Sequence, residues 1–251
     1  MSEAVGRSFA VSYFRRLVTD LMHFSAKVPC VTLERRMNLA PLVAARHACS
    51  PPPTWSAIFT KAYALVAART PMLRTSYLTF PWPHFYEHFT SIATINVDRQ
   101  LADERVVLYT HVASPEKLSL QEIDTIIHDH QHLPVEKIPS YHVAVRLSRV
   151  PWPFRRLIWW AGLNVRGPIR SHFFGTFGVT SVGSLGAGLT HLVPLLTTQL
   201  HFGILEPAGG LEMRLSIDHR VLDAAAAANA LADLEEVLLG EMVKECLLLC
   251  E

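Results

Sequence analysis

From Ser171 to Leu205 the chain carries no Asp, Glu, Lys or Arg, the longest such run in the sequence. Two structures tolerate a run of that kind: a membrane span, or strands buried on both faces of a sheet. Glycine decides between them. Gly175, Gly178, Gly183, Gly186 and Gly188, with Pro194 and many Ser and Thr, would interrupt a spanning helix. They suit short strands joined by turns, at Phe174 to Ser181 and Gln199 to Leu205. Leu211 to Ile217 then alternates as a further strand.

The rest of the chain supplies helices and edge strands. Phe14, Leu17, Val18 and Leu21 recur at helical spacing within Ser12 to His23. Val28 to Met37 reads as a strand, and Asn38 then caps a short helix through about Ala45. ACSPPP breaks it, and Thr54 to Arg69 follows as a strong helix. Ser91 to Val97 and Arg105 to Val112 read as strands about a polar turn at Asp98 to Glu104. Ser119 and Glu122 form a capping box for a helix to about His132, stopped by Pro134. Val143 to Leu147 reads as a short strand, Phe154 to Leu163 as a helix, and Ala224 to about Leu248 as the final helix. There is no βαβ rhythm, repeat or linker. The expectation is one α+β domain over residues 1–251, a two-layer sandwich of a mixed β-sheet packed with helices.

Among the thirteen histidines only His219 has an aspartate four residues on, Asp223. The pair sits between the Leu211–Ile217 strand and the last helix. A rigid mount of that kind suits a general base whose tautomer is fixed by a carboxylate. The same spacing also fits a hydrogen-bonded structural histidine.

DHRVLDA, within SIDHRVLDA (Ser216 to Ala224), resembles the DHRxxDG signature of the 2-oxo acid dehydrogenase acyltransferases, which share a fold with chloramphenicol acetyltransferase. FGTFGVTSVGSLG (Phe174 to Gly186) is similar to that family's GxFTISNLG-type strand and turn. TTQLHFGIL matches its following apolar strand, and SYFRRLVTDLM (Ser12 to Met22) its first helix. VPCVTLERRMNLAPLV and TWSAIFTKAYALVAARTPMLRTSY follow in the family's order, so the resemblance covers most of the chain.

The resemblance implies a chloramphenicol acetyltransferase-like fold and a coenzyme-A-dependent acyl transfer. His219 would take the proton from a thiol or hydroxyl acceptor. Thr180 would donate a hydrogen bond to the oxyanion, with Ser181 as the alternative donor. Asp218 and Arg220 would support the site, and Asp223 would pair with Arg15. It implies a homotrimer with each site shared between chains, and extends to a cubic assembly. Coenzyme A or acyl-CoA enters as substrate; no metal and no lipoyl group on this chain are expected. Ala224 stands where the family has glycine, and the chain reads as a catalytic core alone, with no lipoyl or subunit-binding domain expected. These departures support a second reading, a catalytically degenerate core kept for assembly. The C-terminal CLLLCE resembles the tail that joins such trimers.

Between Glu136 and Glu206 no acidic residue occurs, while Lys137, Arg146, Arg149, Arg155, Arg156, Arg166 and Arg170 do. With Trp152, Phe154, Trp159 and Trp160 among them, the Arg146–Arg170 segment suits an anionic membrane surface or coenzyme A phosphates, as well as an ordinary packed helix with a basic rim. A peripheral lipid acyltransferase is therefore a third reading. A formal net charge of +1 argues against a dedicated nucleic-acid binder. Cys30, Cys49, Cys246 and Cys250 lack CxxC spacing and, with no signal pattern at the N-terminus, point to thiols in the cytoplasm. His128 and His132 share a helical face without a third ligand nearby, which fits a solvated helix end. His84 and His88 belong to an aromatic loop suited to lining a substrate channel.

Overall fold

The computed structural model describes residues 6–101, 104–183 and 186–249. Six strands form one mixed sheet: β1 (Cys30–Asn38), β4 (Ile92–Leu101), β5 (Glu104–Ala113), β6 (Phe177–Thr180), β7 (Thr198–Phe202) and β8 (Gly210–Asp218), in the order β1-β8-β7-β6-β4-β5. β6 runs parallel to β4 and to β7; the other pairings are antiparallel. The charge-free run thus supplies the two central strands, β6 and β7, which have a strand on either side and no edge facing water.

Register separates the two faces of the sheet. Thr110, Ile95, Val179, Leu200, Leu215 and Leu33 lie in one row across all six strands. The neighbouring row is His111, Thr94, Gly178, Gln199, Ser216 and Thr32. Apolar and polar rows alternate because successive side chains point to opposite faces. The apolar face carries the core. It packs against α2 (Ala40–Ala48), α3 (Trp55–Arg69), α4 (Leu120–His132) and α8 (Ala224–Val237). Tyr63 and Phe59 of α3 are fully buried there, 4.9 Å from Phe177 and 4.6 Å from Phe202 between ring centroids.

Helix starts follow the sequence closely. Ser12 caps α1 (Tyr13–Ser25), Thr54 caps α3, and Ser119 with Glu122 forms the capping box of α4. The cap position of α2 is Leu39 rather than Asn38, which stands two residues before the helix and accepts from the amide of Ala40 at 3.2 Å. The C-terminal helix is interrupted: a π-helical stretch at Leu238–Met242 separates α8 from α9 (Val243–Leu248).

Three expectations are corrected. Val143–Leu147 is not a strand but lies inside α5 (Pro139–Arg149). Ala144 and Ser148, four residues apart, are its buried positions, so the helical period overrides the β-branched valines. The segment from Asp98 to Leu101, read as turn, continues β4; Ala102 and Asp103 lie outside the described residues. A helix not anticipated above, α7 (Gly167–Phe174), precedes β6, following α6 (Trp152–Asn164). Gly175 ends α7 at φ 81°, where a Cβ would meet Thr94 Oγ1 at 2.1 Å. The aromatic segment read as a loop is a hairpin of β2 (Thr75–Leu78) and β3 (His84–Glu87). No helix among the described residues is long and apolar enough to cross a membrane.

Candidate active site

β8 delivers the DHR segment to the turn before α8. Asp218 ends the strand with its carboxylate buried, and that carboxylate closes the turn. Arg220 donates to it from Nε at 2.9 Å, from Nη2 at 2.7 Å and from its backbone amide at 3.0 Å. The guanidinium also lies 4.6 Å over the Tyr77 ring. The amides of Val221 and Leu222 both donate to the Asp218 carbonyl. His219, between these anchors, donates its own amide to the Pro29 carbonyl at 2.8 Å. The backbone of His219 is therefore fixed from two directions, while its side chain is 43% exposed.

Asp223 holds that side chain only loosely. Its carboxylate is 3.8 Å from His219 Nδ1 and 87% exposed, beyond hydrogen-bond length. The ring is not locked by Asp223 within one chain. Within one chain Asp223 does not pair with Arg15 either. Ser12, at the start of α1, bonds Glu104 of β5 at 2.8 Å, which puts the first turn of α1 and the exposed Arg15 beside that edge. Asp223 follows β8, four strands away across the sheet. The buried acid of α1 is Asp20, which pairs with Arg155 of α6 and lies 3.5 Å from Arg156.

Thr180 ends β6 on the polar face, half-buried, and among the described residues only its backbone carbonyl is seen in a side-chain hydrogen bond, from His201. Ser181 is committed: its hydroxyl donates to the Phe202 carbonyl at 2.9 Å and accepts from the Gly183 amide at 3.1 Å. Ser184, Leu185 and Cys250 lie outside the described residues. Beneath Thr180, the buried His201 donates from Nδ1 to the Thr180 carbonyl at 3.1 Å and accepts at Nε2 from the Leu189 amide at 3.1 Å. Sequence reasoning missed His201, since an isolated histidine in an apolar strand carries no spacing signal.

Thr180 and His219 do not meet within a chain. Thr180 pairs with His201 and His201 with Arg214, so Thr180 lies level with Arg214. His219 follows Arg214 by five residues along β8. That separates the two by about 16 Å along the strands and about 10 Å across them.

The remaining candidates sort by burial. His128 and His132 stack with ring centroids 4.1 Å apart, and His132 donates to the His128 carbonyl. Among the described residues no three His, Cys, Asp or Glu side chains are placed to hold a metal ion. Of the basic segment, Arg155 and Arg170 are buried and Arg156 half-buried, which removes them from any surface the segment presents. Trp152, Phe154, Leu157 and Ile158 of α6 are exposed. His84 is on a strand, donating to the Trp82 carbonyl, and His88 is buried against Ser76 at 3.0 Å.

Burial holds His88 and His111 at about 4, well below the ordinary histidine value of 6.5, with nearby Arg170 and Arg74 adding to the effect at His88. His201 is lowered by the same cause. These rings stay neutral in the folded protein while the unfolded chain takes up protons below about 6.5. Their contribution to stability is complete above that pH and declines as pH falls toward 4. Urea unfolding at pH 7 and pH 5 is expected to differ by on the order of 2–4 kcal/mol in favour of pH 7. Equal stability at the two values would show that the rings protonate freely in the fold.

No protein-family model and no curated protein matches the sequence. Solved structures do. A truncated catalytic core of the 2-oxoacid dehydrogenase multienzyme complex from Thermoplasma acidophilum is 17% identical, with 94% of this chain and 99% of that chain covered and a TM-score of 0.65. The dihydrolipoamide acetyltransferase of Azotobacter vinelandii is 18% identical, with coverage of 95% and 93% and a TM-score of 0.64. That structure accompanied a study of a serine, a histidine and an asparagine in its catalytic mechanism, the last two four residues apart, the spacing of His219 and Asp223 here. A chloramphenicol acetyltransferase is 9% identical, with coverage of 87% and 94% and a TM-score of 0.51. The chain has the fold shared by these acyltransferases.

Proposed function

We propose that this protein is a coenzyme-A-dependent acyltransferase whose active site is completed by a second copy of the chain. The observation that carries the reading is the DHR turn itself: a half-exposed imidazole on a backbone clamped by Pro29, Asp218 and Arg220, in a fold shared with acyltransferases.

His219 Nε2 takes the proton of an acceptor thiol or hydroxyl, whose sulfur or oxygen attacks the thioester carbonyl carbon. The C=O electron pair moves to oxygen, and the oxyanion accepts a hydrogen bond from Thr180 Oγ1 of a neighbouring copy. Collapse expels the coenzyme A thiolate, which receives the proton from the imidazolium. The commitment of the Ser181 hydroxyl to Phe202 and Gly183 supports Thr180 over Ser181 as donor. The separation of Thr180 from His219 along the sheet supports a shared site, and with it a cyclic trimer.

Release of coenzyme A from acyl-CoA, followed with a thiol reagent across thiol and hydroxyl acceptors, tests the reading. Thr180→Val is expected to lower the rate about 10²-fold or more with little change in KM. An unchanged rate would remove Thr180 from the site.

A second reading, an assembly core without catalysis, is supported by the loose His219–Asp223 contact and by exposed Leu247 and Leu248 at the C-terminus. Ordered particles that release no coenzyme A from any acyl-CoA would favour it. The exposed apolar side of α6 supports contact with a lipid surface, tested by flotation with phosphatidylserine vesicles.

A further inference from the structure

A cleft lies beside the DHR turn. It has a volume of about 180 Å³ and is walled by Val28 and Arg220, the chain neighbours of the two bonded residues Pro29 and His219. Three cationic side chains line it: Lys27, Arg170 and Arg220. Arg220 is neutralised by its bidentate pair with Asp218. Arg170 has no carboxylate partner among the described residues. It is 4% exposed, and its Nη1 and Nη2 donate to the carbonyls of Tyr77, Leu163 and Leu195. Its Nε has no hydrogen-bond partner among the described residues. Lys27 stands at the exposed mouth with its ammonium 5.4 Å from the Phe24 ring centroid. Lys27 thus has no carboxylate beside it among the described residues, and Arg170, which feels the Asp218 carboxylate only from beyond ion-pair distance, keeps a buried idle donor.

A buried, unpartnered N–H on a cation is costly unless an acceptor reaches it. The remaining wall states what kind of acceptor fits. Phe24, Trp160 and Leu163 give the cleft an apolar side, while Thr79 and Asn164 are already bonded to each other at 2.7 Å. The volume corresponds to about six water molecules. That space suits a carboxylate on a chain of three or four carbons.

We infer that this cleft binds the carboxylate end of a short organic acid, with the carboxylate between Arg170 and Lys27 and its carbon chain on Phe24, Trp160 and Leu163. In a working acyltransferase the acyl group or acceptor would then end in a carboxylate. That use rests on the proposed function, whereas binding does not.

Isothermal titration of the whole protein with glutarate, its uncharged diamide and inorganic phosphate separates the possibilities. Glutarate is expected to bind saturably, the diamide at least tenfold more weakly, and phosphate more weakly than glutarate. Lys27 is exposed and, beyond its place over the Phe24 ring, makes no hydrogen bond or ion pair among the described residues, so Lys27→Glu keeps the fold; it is expected to weaken glutarate at least tenfold. Equal binding of acid and diamide, no binding of either, or an unaltered Lys27→Glu protein would overturn the site. Phosphate binding tighter than glutarate would overturn the carboxylate assignment. Because titration needs no turnover, an inactive protein that binds glutarate would refute the acyltransferase reading and leave the cleft standing.

Discussion

His219→Ala is expected to lower coenzyme A release about 10³-fold while leaving the fold intact. The imidazole is 43% exposed and its one charged neighbour, Asp223, is 87% exposed, so little packing is lost. The bond from the residue 219 amide to the Pro29 carbonyl is a backbone bond that alanine keeps. Circular dichroism and the unfolding midpoint should match those of the parent. A variant that retains full activity would sink the general-base assignment. The same protein gives a sharper test when mixed with Thr180→Val chains. If each site takes His219 from one copy and Thr180 from the next, about a quarter of the sites in a randomly mixed trimer regain both native groups. Each variant alone should be nearly inactive and the mixture active. No recovery in mixed trimers would mean that the two residues do not share a site.

The two halves of that site were not equally legible in the sequence. The DHR turn could be placed because strand alternation ends at Ile217 and helix chemistry begins at Ala224. The capping box of Ser119 and Glu122 is local and legible to the residue, and the starts at Ser12 and Thr54 fall within one residue of their helices. Partners distant in sequence could not be read that way. Arg15 was matched to Asp223 by resemblance, but α1 runs with its first turn at the β5 edge, and its buried charge contact is made by Asp20. Arg170 looked like one more cation in a basic run; only the packing of α7 against α6 and the β2–β3 hairpin turns it inward. Val143 and Val145 suggest a strand where the chain forms α5. The positions that decide its packing, Ala144 and Ser148, are too small to signal a helix face.

Asp20→Ala is expected to destabilise the protein by about 3–5 kcal/mol, because it leaves the Arg155 guanidinium buried without its counter-charge. For a chain of this size the unfolding midpoint should fall by about 10–15 °C. The Arg155 Nη1 bond to the Val150 carbonyl at 3.2 Å does not offset a full charge, and Arg156 meets the same carboxylate only at 3.5 Å. Replacing both partners by leucine removes the orphaned charge and should recover most of the loss. If the double variant is no better than Asp20→Ala, the pair is not what fixes α1 against α6. The consequence reaches the site. The pair joins α1 to α6, whose Phe24 and Trp160 wall the cleft, and α1 leads directly to the Pro29 carbonyl that holds the His219 amide. Asp20→Ala should therefore lower catalytic rate below the unfolding transition as well, whereas the double leucine variant should regain rate and stability together. Recovery of stability without rate would place Asp20 in the chemistry itself.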